Sequence, residues 1–280
     1  MFKNLSLKNL GIGVDLRESL RLASLGGFES IDLDMEKVAG LCMRHGAGYV
    51  RGMLDSFSMR PGTWELPVDL SAAQEDFQKA IMEAGPLISA ACEISATRAI
   101  IELPAGSDRL SMEDFTGILP HRISTLLVVL AGSGCMAGIK APDIQNSVKP
   151  YSHTYRFTQS RILEICREIG DPNAGIVLDT FLRHREGAGM DDIGDIKSRE
   201  IVCVQASDEA TAPDTGRRLP GETGRINLRL FLETLDAMGY EGPVTPCSEA
   251  ARMKTLPHEI AAILSGGYLK SIWKESVKET

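Results

Sequence analysis

The sequence is short of positive charge. Thirty Lys and Arg stand against 38 Asp and Glu, a formal net charge of −8 at pH 7, with an isoelectric point near 5.3. No basic excess is available to neutralise phosphates, which argues against nucleic acid as the main partner. A phosphorylated small substrate stays open, because one local Arg or a helix N-terminus suffices for it. There is no CxxC pair. The six cysteines (Cys42, Cys92, Cys135, Cys166, Cys203, Cys247) are scattered, which argues against a structural zinc site. Several sit in apolar patterns, as buried free thiols of a reducing compartment do. No apolar signal core follows Met1-Phe2-Lys3-Asn4, and no stretch reaches the roughly 18 apolar residues of a membrane span. The longest candidate, 118–136, is broken by Pro120, His121, Arg122 and Ser124 and reads as a buried helix running into a strand. The expectation is a soluble, cytoplasmic protein with no membrane partner. Repeats, low-complexity segments and linkers are also missing, so 1–280 reads as a single domain. A GxGxxG phosphate turn is absent too. Gly11-Ile12-Gly13 falls short of it, which tells against a doubly wound sheet.

What is present is a regular beat of strand and helix. Strands are expected within 5–12, 28–34, 49–55, 97–103, 135–141, 175–180, 201–205 and 243–248. Helices are expected from Asp15 to Leu25, over 35–45, 69–95 with a kink at Pro86, 112–132, 157–169, 190–197, 226–238 and 257–270. Residues 56–68, 142–154 and 207–224 read as long loops. Some eight strand–helix units of 25 to 40 residues are the beat of a (β/α)8 barrel, the TIM barrel, and about 250 residues is its ordinary size. Gly175-Ile176-Val177-Leu178-Asp179 is the clearest strand, apolar without alternation, as a strand covered on both faces is. It ends on an acid. In a barrel that rim carries the chemistry, although Asp179 could equally cap the next turn.

Four strand ends in the second half stand out: Lys140, Asp179, Gln205 and Cys247. With them come Asp171-Pro172-Asn173-Ala174-Gly175, Ile201-Val202-Cys203-Val204-Gln205-Ala206-Ser207-Asp208, Arg218-Leu219-Pro220-Gly221-Glu222 and Gly239-Tyr240-Glu241-Gly242-Pro243-Val244-Thr245. At the front stands Gly27-Phe28-Glu29-Ser30-Ile31-Asp32-Leu33. On these segments the chain resembles the sugar phosphate isomerase/epimerase superfamily, the xylose isomerase-like TIM barrels.

The resemblance implies one divalent cation (Mn, Mg or Zn) at the barrel mouth. Its ligands would be Glu, Asp, His or Gln, and Glu from strands five to eight. Asp179 and Gln205 keep their places as metal ligands. Lys140 and Cys247 stand where the two Glu would, and Leu182 where a His often follows the Asp. An ammonium in such a shell repels a cation by several kcal/mol where water is scarce. A shift of two residues would let Glu249 stand in for one lost Glu, and Asp143 could replace the other.

Lys140 admits three readings: a charge that pairs with Asp179 in place of the ion, an anion-binding group, or an amine base or Schiff-base nucleophile. Cys247 reads either as a small buried residue or as a thiol activated by a neighbouring Lys. Arg218 is a candidate phosphate or carboxylate ligand, or a surface ion pair. His184 and Arg183 follow strand six and could reach the mouth. Glu102 ends strand four as a proton-transfer group, or points outward. Trp64 walls the pocket or packs the rim. Asp208 orients neighbours, and His153 and Tyr155 are lid candidates.

The resemblance implies an isomerase or epimerase moving a proton next to a carbonyl of a small polyhydroxylated or carboxylated substrate, a sugar or sugar-derived acid. Lys140, Asp179, Gln205 and Cys247 would carry the chemistry, with Arg218, His184, Glu102 and Trp64 binding substrate. A metal-free lyase or dehydratase using Lys140 is the second reading, and a non-catalytic ligand-binding or partner subunit the third. A homodimer is compatible with the barrel, but no stripe in the sequence marks an interface.

Overall fold

Apolar strands without alternation need cover on both faces, and a barrel ringed by helices supplies it. The computed structural model describes residues 1–142, 150–189, 193–214 and 216–273. Eight parallel strands close the barrel: β1 (Phe2–Leu5), β2 (Ser30–Leu33), β3 (Arg60–Glu65), β4 (Arg98–Glu102), β5 (Met136–Lys140), β6 (Ala174–Asp179), β7 (Ile201–Ala206) and β8 (Pro243–Pro246). They follow one another in chain order, and β8 returns to β1. All six residues of β6 are buried.

By density of contacts the chain divides into two compact units. One holds Met1–Asp32, Met53–Gly62 and Asp179–Thr280. Within it, the helix Leu16–Leu25 starts at Asp15, whose carboxylate accepts from Glu18 N at 2.9 Å. It packs on the helix His258–Ile272. A Cβ on Gly266 would overlap the Gly26 carbonyl, so only glycine allows this approach. Inside the barrel the buried Asn4 amide donates to Asp32 Oδ1 (2.7 Å) and Thr245 Oγ1 (2.8 Å). It accepts from Ser30 Oγ at 2.6 Å.

The other unit holds Leu33–Gly52 and Thr63–Leu178. Its helix Met35–His45, capped by Asp34, packs on the helix Gln74–Glu93, which carries Pro86. The helix Met112–Ala131 is long and apolar enough to cross a membrane by length and composition. It turns Phe115, Leu119, Ile123, Leu126, Leu127 and Leu130 into the protein and contains Pro120. Its Arg122 is buried, donating to the Leu70 and Ala72 carbonyls and lying 4.8 Å from the Phe77 ring centroid.

Four local expectations are corrected. The first strand is Phe2–Leu5 rather than part of 5–12. Beyond it Leu7 O takes both Leu10 N and Ile12 N in a tight turn, with Gly11 at φ +70°. Residues 49–55 are helical, within Ala47–Ser56, because Ala47, Val50 and Leu54 are buried at helical spacing. The third strand lies in the segment expected as a loop, since its Pro61-Gly62 pair reads as a breaker. Gly62 is there because a Cβ would overlap Asn4 Oδ1. Of the short helix expected within 190–197, residues 190–192 lie outside the described residues, and 193–197 are not helical.

Candidate functional site

The Asp179 side chain is 5 % exposed, and it leaves β6 straight into the short helix Thr180–Arg185. Its Oδ1 accepts from Phe181 N (3.0 Å) and Leu182 N (3.1 Å), so it does cap the following turn. The same oxygen accepts from Arg217 Nη1 at 2.8 Å. Arg217 is also buried, lies 3.3 Å from Ser207 Oγ, and sits with its guanidinium carbon 4.7 Å from the Phe181 ring centroid. Thr180 fixes Ser207 in turn. Thr180 Oγ1 donates to Ser207 O and accepts from Ser207 N, each at 2.9 Å. Sequence reasoning selected Arg218 and passed over Arg217.

The loop after β7 is tied down by a two-residue antiparallel ladder, Asp208–Glu209 with Arg217–Arg218. Successive strand residues point to opposite faces, so the two arginines part company. Arg218 meets Asp214 (3.1 Å) and Glu249 (3.5 Å). Glu249, the expected substitute ligand, is thus engaged by a guanidinium, and Asp143 lies outside the described residues. Asp208 is fully buried and accepts from the backbone N–H groups of Glu209, Thr223, Gly224 and Ile226. Its work is to shape the loop. His184 Nε2 lies 3.4 Å from Glu209, which also meets Arg185 and Arg225. Arg183 turns back onto the Gly189 carbonyl. Gln205 is half-buried, in register with Thr245 of β8. Cys247 is buried and receives Asn9 Nδ2–H at 3.0 Å. Beside it, Ser248 Oγ is buried without a hydrogen-bond partner among the described residues.

In the second unit, Lys140 and Glu102 stand opposite each other in the β4–β5 register. Lys140 Nζ is 3.0 Å from Glu102 Oε2, with side-chain exposures of 19 % and 41 %. Glu102 lines a cleft of about 660 Å³, together with Asp69, Ser71, Ser107, Arg109 and Tyr151. The rim is held by a second short ladder, Gly106–Ser107 with His153–Thr154. Trp64 is 1 % exposed and donates Nε1–H to Ala96 O at 2.9 Å, which places its indole in the barrel wall. His153 is exposed. The Tyr155 hydroxyl donates to Leu110 O, and its ring stacks on Phe115 at 4.6 Å. Burial pushes this phenol above its ordinary value, so it keeps its proton at neutral pH.

These residues do not fit the divalent ion that the fold implies. Among the described residues no group of three or more His, Cys, Asp and Glu side chains is arranged to hold a metal. A dication within about 4 Å of the Arg217 guanidinium would meet a repulsion of roughly 8 kcal/mol at an effective dielectric of about 20. One carboxylate, with three hydrogen bonds already on its Oδ1, does not offset that.

The arrangement can be compared with known proteins. Residues 144–270 match the family model described as xylose isomerase-like TIM barrel. An inosose isomerase of Halalkalibacterium halodurans is 32% identical over 93 residues, 31% of this chain and 33% of that protein, so the chain matches about a third of its relative's length. A xylose isomerase domain protein from Alicyclobacillus acidocaldarius subsp. acidocaldarius superposes with TM-score 0.79 at 22% identity, over 97% of this chain and 98% of the other. The IOLI protein with a bound zinc atom superposes with TM-score 0.80 at 16% identity, again over 97% and 98%. Likenesses this low in identity speak for the fold. The barrel closed by all eight strands makes the fold a TIM barrel, and over residues 144–270 the chain is similar to the xylose isomerase-like family.

Proposed function

We propose that the chain is an isomerase- or epimerase-like enzyme that moves a proton at a carbon next to the carbonyl of a small polyhydroxylated or carboxylated substrate. The observation that carries this reading is the Lys140–Glu102 pair, opposed in register at the ends of neighbouring strands beside an open cleft. Strand ends at this face are where barrels place reacting groups. The Glu102 carboxylate is open enough to reach a substrate C–H, and Lys140 is held behind it.

In this reading Glu102 takes the proton as general base. The electron pair of the C–H bond moves onto the carbonyl oxygen, and the Lys140 ammonium stabilises the resulting enediolate. The hydroxyl proton of the first carbon passes to the former carbonyl oxygen, and return of the abstracted proton to the neighbouring carbon completes an isomerisation. A relative that is an inosose isomerase supports a hydroxylated ketone as the substrate class.

The test is exchange of carbon-bound hydrogen in D2O, followed by NMR, with D-fructose, other ketohexoses and inososes as probes. The wild type is expected to exchange at least one of them. Glu102→Gln is expected to lose about 10²–10⁴-fold, and Lys140→Met about 10²–10³-fold. A wild type inert across the panel, or a Glu102→Gln variant of unchanged rate, overturns the reading.

A further inference from the structure

We infer that Arg217 is a built-in replacement for the divalent cation of the fold, and that it closes Asp179 to metal. The inference does not rest on the proton-transfer reading above. Three hydrogens converge on one Asp179 oxygen: those of Phe181 N, Leu182 N and Arg217 Nη1. That oxygen has no lone pair left for an ion, and an ion on Oδ2 would stand within a few ångströms of the guanidinium, whose charge repels it.

The guanidinium is built in on three sides. Asp179 meets it at 2.8 Å and Ser207 Oγ at 3.3 Å, and the Phe181 ring covers it. Ser207 is itself locked to Thr180 by a reciprocal pair of hydrogen bonds. A cation held over a ring face, away from water and against a carboxylate, keeps its charge and its place. The short ladder of Asp208–Glu209 with Arg217–Arg218 delivers it there from the β7 loop.

The donor chemistry elsewhere in the chain agrees. The fifth strand ends in Lys140, which brings an ammonium. The eighth runs into Cys247, a buried thiol that accepts from Asn9. Two residues on, Glu249 is engaged by Arg218. Among the described residues, the fifth strand end is thus cationic, the eighth neutral, and Glu249 already paired with a guanidinium.

The experiment uses the full chain, purified without chelator. Elemental analysis is followed by calorimetric titration with MnCl2, ZnCl2 and MgCl2, on the wild type and on Arg217→Gln. The expected result is no stoichiometric metal and no saturable binding by the wild type up to millimolar ion. Arg217→Gln, which frees Asp179, is expected to bind Mn2+ or Zn2+ at least tenfold more tightly than the wild type. A stoichiometric ion in the wild type that is lost in Asp179→Asn overturns the inference. A folded Arg217→Gln with no gain in affinity overturns the assignment of the exclusion to Arg217. A second readout needs no variant: EDTA is expected to leave the wild-type Tm unchanged, and a Tm that falls with chelator and returns with Mn2+ or Zn2+ refutes the replacement.

Discussion

Removing the Arg217 guanidinium tests the arrangement at the end of β6 most directly. The side chains of Arg217 and Asp179 are 10 % and 5 % exposed, so Arg217→Met leaves a carboxylate in a nearly dry site. Breaking a buried pair from one side costs about 3–5 kcal/mol, whereas replacing both partners by neutral groups of similar volume is often close to neutral. The two single variants are not equivalent. Asp179→Asn keeps an oxygen for Phe181 N and Leu182 N, so the helix cap survives. It strands a guanidinium that still has Ser207 and the Phe181 ring, and its expected cost is about 2–3 kcal/mol. The double variant Asp179→Asn/Arg217→Met is expected to lose only about 1 kcal/mol. The two sites are thus expected to couple by about 4–7 kcal/mol, above the range that contacting residues usually show. Urea denaturation followed by far-UV circular dichroism, on the wild type and the three variants, reads each figure as a shift of midpoint. Because the pair is buried, molar NaCl should change the cycle little. Additivity of the singles within about 0.5 kcal/mol would refute the reasoning, as would a cycle that collapses in salt.

Two more outcomes follow from the same coordinates. Asp208→Ala removes an acceptor shared by four backbone N–H groups, and at about 1–3 kcal/mol for each buried donor left without a partner it should destabilise the β7 loop by roughly 3 kcal/mol or more. Faster proteolysis of Asp208→Ala within residues 207–226 would show it, and wild-type resistance would count against it. Burial pushes the Cys135 thiol above its ordinary value; the unfolded thiol ionises first, near pH 8.5. That contribution is therefore whole below about pH 8 and declines as pH rises through the folded value. Stability measured from pH 7 to 10 should fall less steeply in Cys135→Ser, and identical slopes would refute the assignment.

Much of this was legible in the chain. Strands such as Ala174–Asp179 and Ile201–Ala206 are apolar without alternation up to Leu178 and Val204, as strands covered on both faces are. Caps at Asp15, Asp34 and Thr158 mark helix starts by residue type alone. The third strand was hidden because Pro61 and Gly62 are turn residues everywhere except where a neighbour needs their space, and the Asn4 amide that needs it is 58 residues away. The helix Ala47–Ser56 was hidden by Tyr49 and Val50, which favour strands. Its buried stripe of Ala47, Val50 and Leu54 is short enough to pass for alternation. Arg217 was missed for a different reason. Two adjacent arginines carry the same chemistry, and only the pairing of Asp208–Glu209 with Arg217–Arg218 decides which faces inward. That pairing depends on how the loop folds back, which local sequence does not encode.

The indole of Trp64 has a spectroscopic consequence. The chain has two tryptophans, and this one lies in the barrel wall with its N–H on Ala96 O. Its fluorescence should be blue-shifted, shielded from collisional quenchers and blind to whatever fills the cleft. Trp273 is only partly covered, so its emission should lie further to the red and quench readily. A change in the shielded component then reports the integrity of the wall itself, an optical gauge of folding that needs no added label.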